Sequence, residues 1–60
     1  MRRGRREEHL AIEGQYFETT HAWDKAVATY QTLRNEYPDN LEYGLRLAAT
    51  LKAQGLVDVQ

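Results

Sequence analysis

Large apolar residues recur every three or four positions between Trp23 and Pro38, and this spacing predicts an amphipathic α-helix. The apolar side of that helix carries Trp23, Val27, Tyr30, Leu33 and Tyr37, with the small Ala26 among them. A β-strand would alternate apolar and polar residues by two, which this stretch does not do. Pro38 biases the preceding residue away from helical backbone angles. We therefore expect a helix over about 23–37, with the rest of the chain packed around it.

A first helix is expected over about 6–20. Leu10 and Phe17 lie two turns apart on a shared face. Gly14 falls in the middle, where glycine costs about 1 kcal/mol relative to alanine, so we expect another helix to approach closely there. The turn at 20–22 calls for a left-handed residue. His21 is the candidate, because histidine is among the non-glycine types enriched in that conformation.

A third helix is expected over about 40–54. Asp39 or Asn40 can cap its start by accepting a hydrogen bond from a free backbone N–H. Gly55 is expected to end it. The fold class predicted from these three segments is all-α, with three helices joined by short turns.

The chain has 60 residues, no cysteine, 42% hydrophobic residues and a net charge of −1. A chain of this size buries only about 60% of its unfolded surface, so its own core is marginal. Without a disulfide, it is expected to gain stability from self-association, from a partner or from being part of something larger. No apolar run reaches the roughly 20 residues of a membrane span, and no signal-peptide pattern is present. We expect a cytoplasmic protein.

With these features in place, the chain resembles the tetratricopeptide repeat, a helix–turn–helix unit of about 34 residues. Residues 7–40 span one repeat, and its signature positions for packing the two helices are Leu10, Gly14, Phe17, Ala26, Tyr30, Leu33 and Pro38. The resemblance divides the chain into a basic flexible arm (1–6), the repeat (7–40), the start of a second repeat that acts as a capping helix (41–55) and a tail (56–60). An unrelated three-helix bundle is the alternative.

The resemblance implies a binding groove formed by the first and third helices. The residues carried over to it are Glu8, Ala11, Gln15, Glu18, Thr19, Glu42, Leu45, Ala49 and Lys52. The implied function is a non-catalytic protein–protein interaction module for a protein or peptide partner. Residues 37–48 are also similar to repeats of bacterial regulators. The alternative function is therefore a scaffold or regulatory segment of a transcriptional regulator with its DNA-binding domain elsewhere.

The third helix carries more leucines than a helix with one neighbour can bury, and this predicts a homodimer or a higher homo-oligomer. Repeat units bury a continuous core only by stacking, so one and a half repeats leave an apolar flank open. The candidate self-association residues are Leu47, Leu51, Leu56 and Val57.

The sequence has few residues of the types that catalysis or metal binding requires. It has neither cysteine nor serine, and it has no glycine-rich phosphate loop. His9 and Glu13 could form half of a metal site, but structural zinc needs four ligands, so a solvated pair is the simpler interpretation. We expect no enzyme activity, no cofactor and no metal. The arm from Arg2 to Arg6 could contact nucleic acid, but without interleaved aromatic residues we expect a frayed terminus or linker instead.

Overall fold

A computed structural model describes residues 4–58 of the chain, with side chains as far as Leu56. It contains three helices: α1 (Arg5–Thr19), α2 (Trp23–Glu36) and α3 (Leu41–Asp58). No strand occurs within residues 4–58. The predicted all-α, three-helix fold is therefore confirmed. None of these helices is both long enough and apolar enough to cross a bilayer.

The turn between α1 and α2 is closed by a left-handed histidine. His21 has a φ of 62° and is the one non-glycine residue with positive φ between residues 4 and 58. The backbone N–H of Ala22 donates to the carbonyl of Phe17 (2.8 Å), and that of His21 donates to Glu18 (3.1 Å). These two bonds form a Schellman motif with histidine in the position that glycine usually takes. The expectation for His21 is confirmed.

Asn40 caps α3. Its side-chain Oδ1 accepts a hydrogen bond from the backbone N–H of Glu42 (3.0 Å), which decides between the two capping candidates. At its other end, α3 continues to Asp58 rather than ending at residue 54. Gly55 does not stop the helix, because no described glycine takes the positive φ that a left-handed C-cap requires.

Helix bounds also change the expected arm and tail. Arg5 and Arg6 belong to α1, and residues 56–58 belong to α3. Gly4 of the predicted arm is the N-cap residue of α1. Residues 1–3 of the arm and residues 59–60 of the tail lie outside the described residues.

The core forms around α2. Ala26, Tyr30 and Leu33 of α2 have no exposed surface, and Tyr43 and Leu47 of α3 complete the buried cluster. Leu10 and Phe17 of α1 pack against it, and Gly14 is buried. Of the residues expected to pack the helices together, Pro38 is the exception, because it is exposed in the turn before α3.

Polar contacts show how the three helices are arranged. Arg6 at the start of α1 bonds to Glu36 at the end of α2, and Gln54 near the end of α3 bonds to Asp24 at the start of α2. Thus α2 runs antiparallel to both neighbours. It contacts each of them extensively. It follows that α1 and α3 run parallel, side by side, along α2.

Candidate interaction groove

One polar bridge joins the first turns of α1 and α3. The hydroxyl of Tyr43 donates a hydrogen bond to Oε2 of Glu7 (2.8 Å). Both side chains are buried, with 5% of Glu7 and 7% of Tyr43 exposed. A buried carboxylate is costly unless it is hydrogen-bonded, so this contact holds the two helices in register as well as together.

A second bridge joins the helices about three turns further along α1. Glu18 accepts a hydrogen bond from the hydroxyl of Thr50 (3.3 Å) and lies 3.6 Å from Nη1 of Arg46. Arg46 also donates through Nε to Glu42 (3.1 Å). The Glu42 carboxylate raises the pKa of the Arg46 guanidinium above its ordinary value. This carboxylate therefore stabilises the positive charge of Arg46.

An open groove of about 800 Å³ lies between α1 and α3 and extends to the turn that precedes α3. Its size is within the range of ligand-binding clefts. Ala11 and Gln15 line it from α1, and Tyr43 and Arg46 line it from α3. The groove stays open on the α1 side because Ala11 is small and Gln15 is exposed rather than packed in the core.

Tyr30 of α2 lies at the floor of this groove. The side chain has no exposed surface, and its hydroxyl makes no hydrogen bond within the described part of the chain. Burial first, and then the negative charge of nearby Glu18, raise the pKa of Tyr30 to about 12. Glu18 is close enough for its charge to act on the hydroxyl, although the geometry does not make a hydrogen bond. A buried, unpartnered hydroxyl therefore underlies the groove.

Residues that the resemblance assigned to a groove fall into three groups. Ala11, Gln15 and Glu42 line the large groove. Glu18, Thr19 and Ala49 line a second depression, of about 410 Å³, further along the same two helices. Glu8, Leu45 and Lys52 line neither and are exposed.

The candidate self-association residues differ in how exposed they are. Leu47 is only 6% exposed and lies in the core, so it cannot serve as a surface contact; this assignment is corrected because Leu47 shares its helix face with Tyr43. Leu51 is 45% exposed and Leu56 is 67% exposed. Val57 lies beyond the last residue whose side chain is described, so its assignment stays a prediction.

His9 and Glu13 form a hydrogen-bonded pair. Nε2 of His9 lies 3.0 Å from Oε2 of Glu13, on an exposed face of α1. Within the described residues, no group of three or more His, Cys, Asp or Glu side chains could hold a metal ion.

Glu7, Tyr43 and Thr50 are the structural residues that sequence reasoning missed. A glutamate in the first turn of a helix is usually exposed, where its charge favours the helix dipole, whereas the structure buries Glu7. Its position seven residues before Gly14 places both on one face of α1, which was the available signal. Tyr43, Leu47 and Thr50 likewise follow one another at helical spacing and form the buried face of α3.

Comparison with protein-family models, with curated proteins and with solved structures finds no match for this chain.

Proposed function

We propose that this protein is a non-catalytic, tetratricopeptide-type protein-interaction module that works in the cytoplasm and binds an extended segment of a partner protein in the groove between α1 and α3. The observation that carries the proposal is the groove itself. It is open, it is lined by two parallel helices, and a buried unpartnered hydroxyl lies at its floor.

The chemistry of the groove suits a peptide. Gln15 and Arg46 offer side-chain N–H donors to main-chain carbonyl groups, and Leu41 and Tyr37 offer apolar surface to side chains. Small-molecule sites bury most of their ligand. This groove is open along its length, which favours an extended chain over a compact ligand.

The helix packing also supports a tetratricopeptide-type unit. The ring of Tyr30 packs directly against Gly14. Ala26 of α2 is fully buried. Small residues at helix crossings let helices approach closely. These are the positions on which the resemblance rests.

A displayed library of random 12-residue peptides, selected on the wild-type protein, tests the proposal. Selected peptides should bind with 1:1 stoichiometry in calorimetry. Gln15→Trp should weaken their binding at least tenfold, because the indole would fill the groove. Gln31→Trp is the matched control, since Gln31 is also an exposed helical glutamine but lies on α2, outside both depressions. Peptides that bind both variants equally well would place the binding surface elsewhere.

A further inference from the structure

The outer face of α3 is apolar and uncovered. Tyr43, Leu47 and Thr50 face the core, and on the opposite side of the helix the side chains are exposed. We call this exposed face the α3 stripe, and its members are Leu41, Leu45, Ala48, Ala49, Lys52 and Leu56. The exposed fractions of its leucines are 79% for Leu41, 71% for Leu45 and 67% for Leu56. An apolar row of this length on so small a chain indicates an interaction surface.

The residues of the α3 stripe are spaced symmetrically about the middle of the stripe. Its centre lies midway between Ala48 and Ala49. Leu41 and Leu56 are equally far from that centre, and so are Leu45 and Lys52. A helix with this property can pair with an antiparallel copy of itself, because every stripe residue then meets another stripe residue across the two-fold axis.

We propose that the α3 stripe docks a second copy of this chain, antiparallel, with the two-fold axis between Ala48 and Ala49. The two alanines at the centre let the helix axes approach closely. At each end, Leu41 of one copy packs on Leu56 of the other. The stripe shares Leu41 with the large groove and Ala49 with the second depression, but the proposal does not depend on peptide binding.

Charge complementarity favours a second copy as the occupant. In this register, Lys52 lies over Leu45 of the second copy, one helical turn from Glu42 of that copy. Its aliphatic stem can cover the leucine while its ammonium group reaches the carboxylate. The two-fold axis produces the same pair twice. A parallel pairing would instead bring like residues together, including Lys52 against Lys52.

The size of the contact predicts a weak dimer. The stripe is about 22 Å long, from the rise of about 1.5 Å per residue. One helix pair of this length falls in the class of interfaces that bury less than about 1,200 Å² in total. The dimer should therefore form and dissociate with concentration over roughly 10 µM to 1 mM.

Sedimentation equilibrium over that range, with charge variants, tests the pairing. The wild-type protein should shift from monomer to dimer. Leu45→Lys should abolish the shift, because it places two lysines against each other twice. Adding Lys52→Glu to Leu45→Lys should restore it. Ile12→Lys makes the same charge change at a side chain of α1 that is 66% exposed, and it should leave the dimer intact.

Cysteine crosslinking tests the orientation, in a chain that has no cysteine of its own. Oxidised Ala48→Cys should form a disulfide-linked dimer, because residues at the axis meet. Lys52→Cys should not, since its copies lie about 10 Å apart along the helix axes, beyond disulfide reach. A wild-type monomer at 1 mM would overturn the proposal. So would crosslinking through Lys52→Cys, or dissociation by Ile12→Lys, which would indicate head-to-tail stacking of α3 on α1.

Discussion

The ring of Tyr30 lies directly on Gly14. A β-carbon added at Gly14 would lie 2.7 Å from both Cε1 and Cζ of that ring and 3.0 Å from its hydroxyl oxygen. Real β-carbons do not approach other atoms so closely. The ring is fully buried and cannot swing away into solvent. Gly14 is thus the position at which α1 makes room for the largest fully buried side chain of the core.

Gly14→Ala should destabilise the protein although alanine is the better helix former. Overpacking costs about 1–3 kcal/mol, and the propensity gain returns about 1 kcal/mol. We expect a net loss of up to about 2 kcal/mol, measured by urea unfolding followed by circular dichroism.

Gly44→Ala is the control for Gly14→Ala. A β-carbon at Gly44 makes only an ordinary contact with Arg34, at 3.8 Å. This variant should be stabilised by up to about 1 kcal/mol. Equal effects at the two glycines would show that Tyr30 does not constrain Gly14.

Tyr30 should make the protein sensitive to alkaline pH. Its pKa is raised in the folded state to about 12, against 10.0 for an unperturbed tyrosine. The neutral side chain is therefore favoured by folding, and its contribution is fully present below pH 10. Between about pH 10 and 12 the unfolded chain loses this proton first, so the free energy of unfolding should fall by about 2–3 kcal/mol.

Tyr30→Phe isolates that contribution. Comparing urea unfolding at pH 9 and pH 11.5, the wild-type protein should lose more stability than the variant. At pH 7 the variant should be at least as stable as the wild type, because it removes a buried hydroxyl that has no hydrogen-bond partner. Parallel losses in both proteins would mean that the hydroxyl is solvated.

Local features of the fold could be predicted from the sequence because each depends on few residues. Three-residue and four-residue spacing defines α2, and Pro38 ends it by a steric effect on its immediate neighbour. His21 could be assigned to the left-handed position because the turn between two helices needs such a residue. Gly14 indicated a close approach, although what approaches is the ring of Tyr30.

Features that depend on tertiary context could not be predicted. Glu7 shares a helix face with Gly14, but its partner Tyr43 lies on a different helix, so the hydrogen bond between them could not be predicted from α1 alone. Leu47 and Leu45 are both leucines of α3, and only the position of α2 determines which is buried. Gly55 remains helical because glycine permits a left-handed cap without enforcing one.

The hydrogen bond between Tyr43 and Glu7 should be a major link between α1 and α3. Tyr43→Phe removes one hydrogen-bond donor from a carboxylate that is only 5% exposed, and should cost about 1–3 kcal/mol in urea unfolding. In a double-mutant cycle with Glu7→Ala, the coupling energy should be at least about 1 kcal/mol. Tyr37→Phe removes a hydroxyl outside this bridge and serves as the control. Zero coupling would assign the cost of Tyr43→Phe to packing alone.

His21 has two opposite effects on the stability of its turn. Its ring stabilises the turn by stacking, and its left-handed backbone conformation destabilises it. The imidazole stacks on the indole of Trp23, with ring centroids 5.2 Å apart. Its φ of 62° is unfavourable for any residue with a β-carbon.

His21→Ala should lose the stacking and keep the backbone cost, whereas His21→Gly should lose both. We therefore expect the glycine variant to be more stable than the alanine variant by about 1 kcal/mol in thermal or urea unfolding. The same pair of substitutions at Gln31, in the middle of α2, should give the opposite order, because there glycine costs about 1 kcal/mol relative to alanine. If alanine is the more stable residue at both positions, the turn does not hold residue 21 in the left-handed conformation in solution.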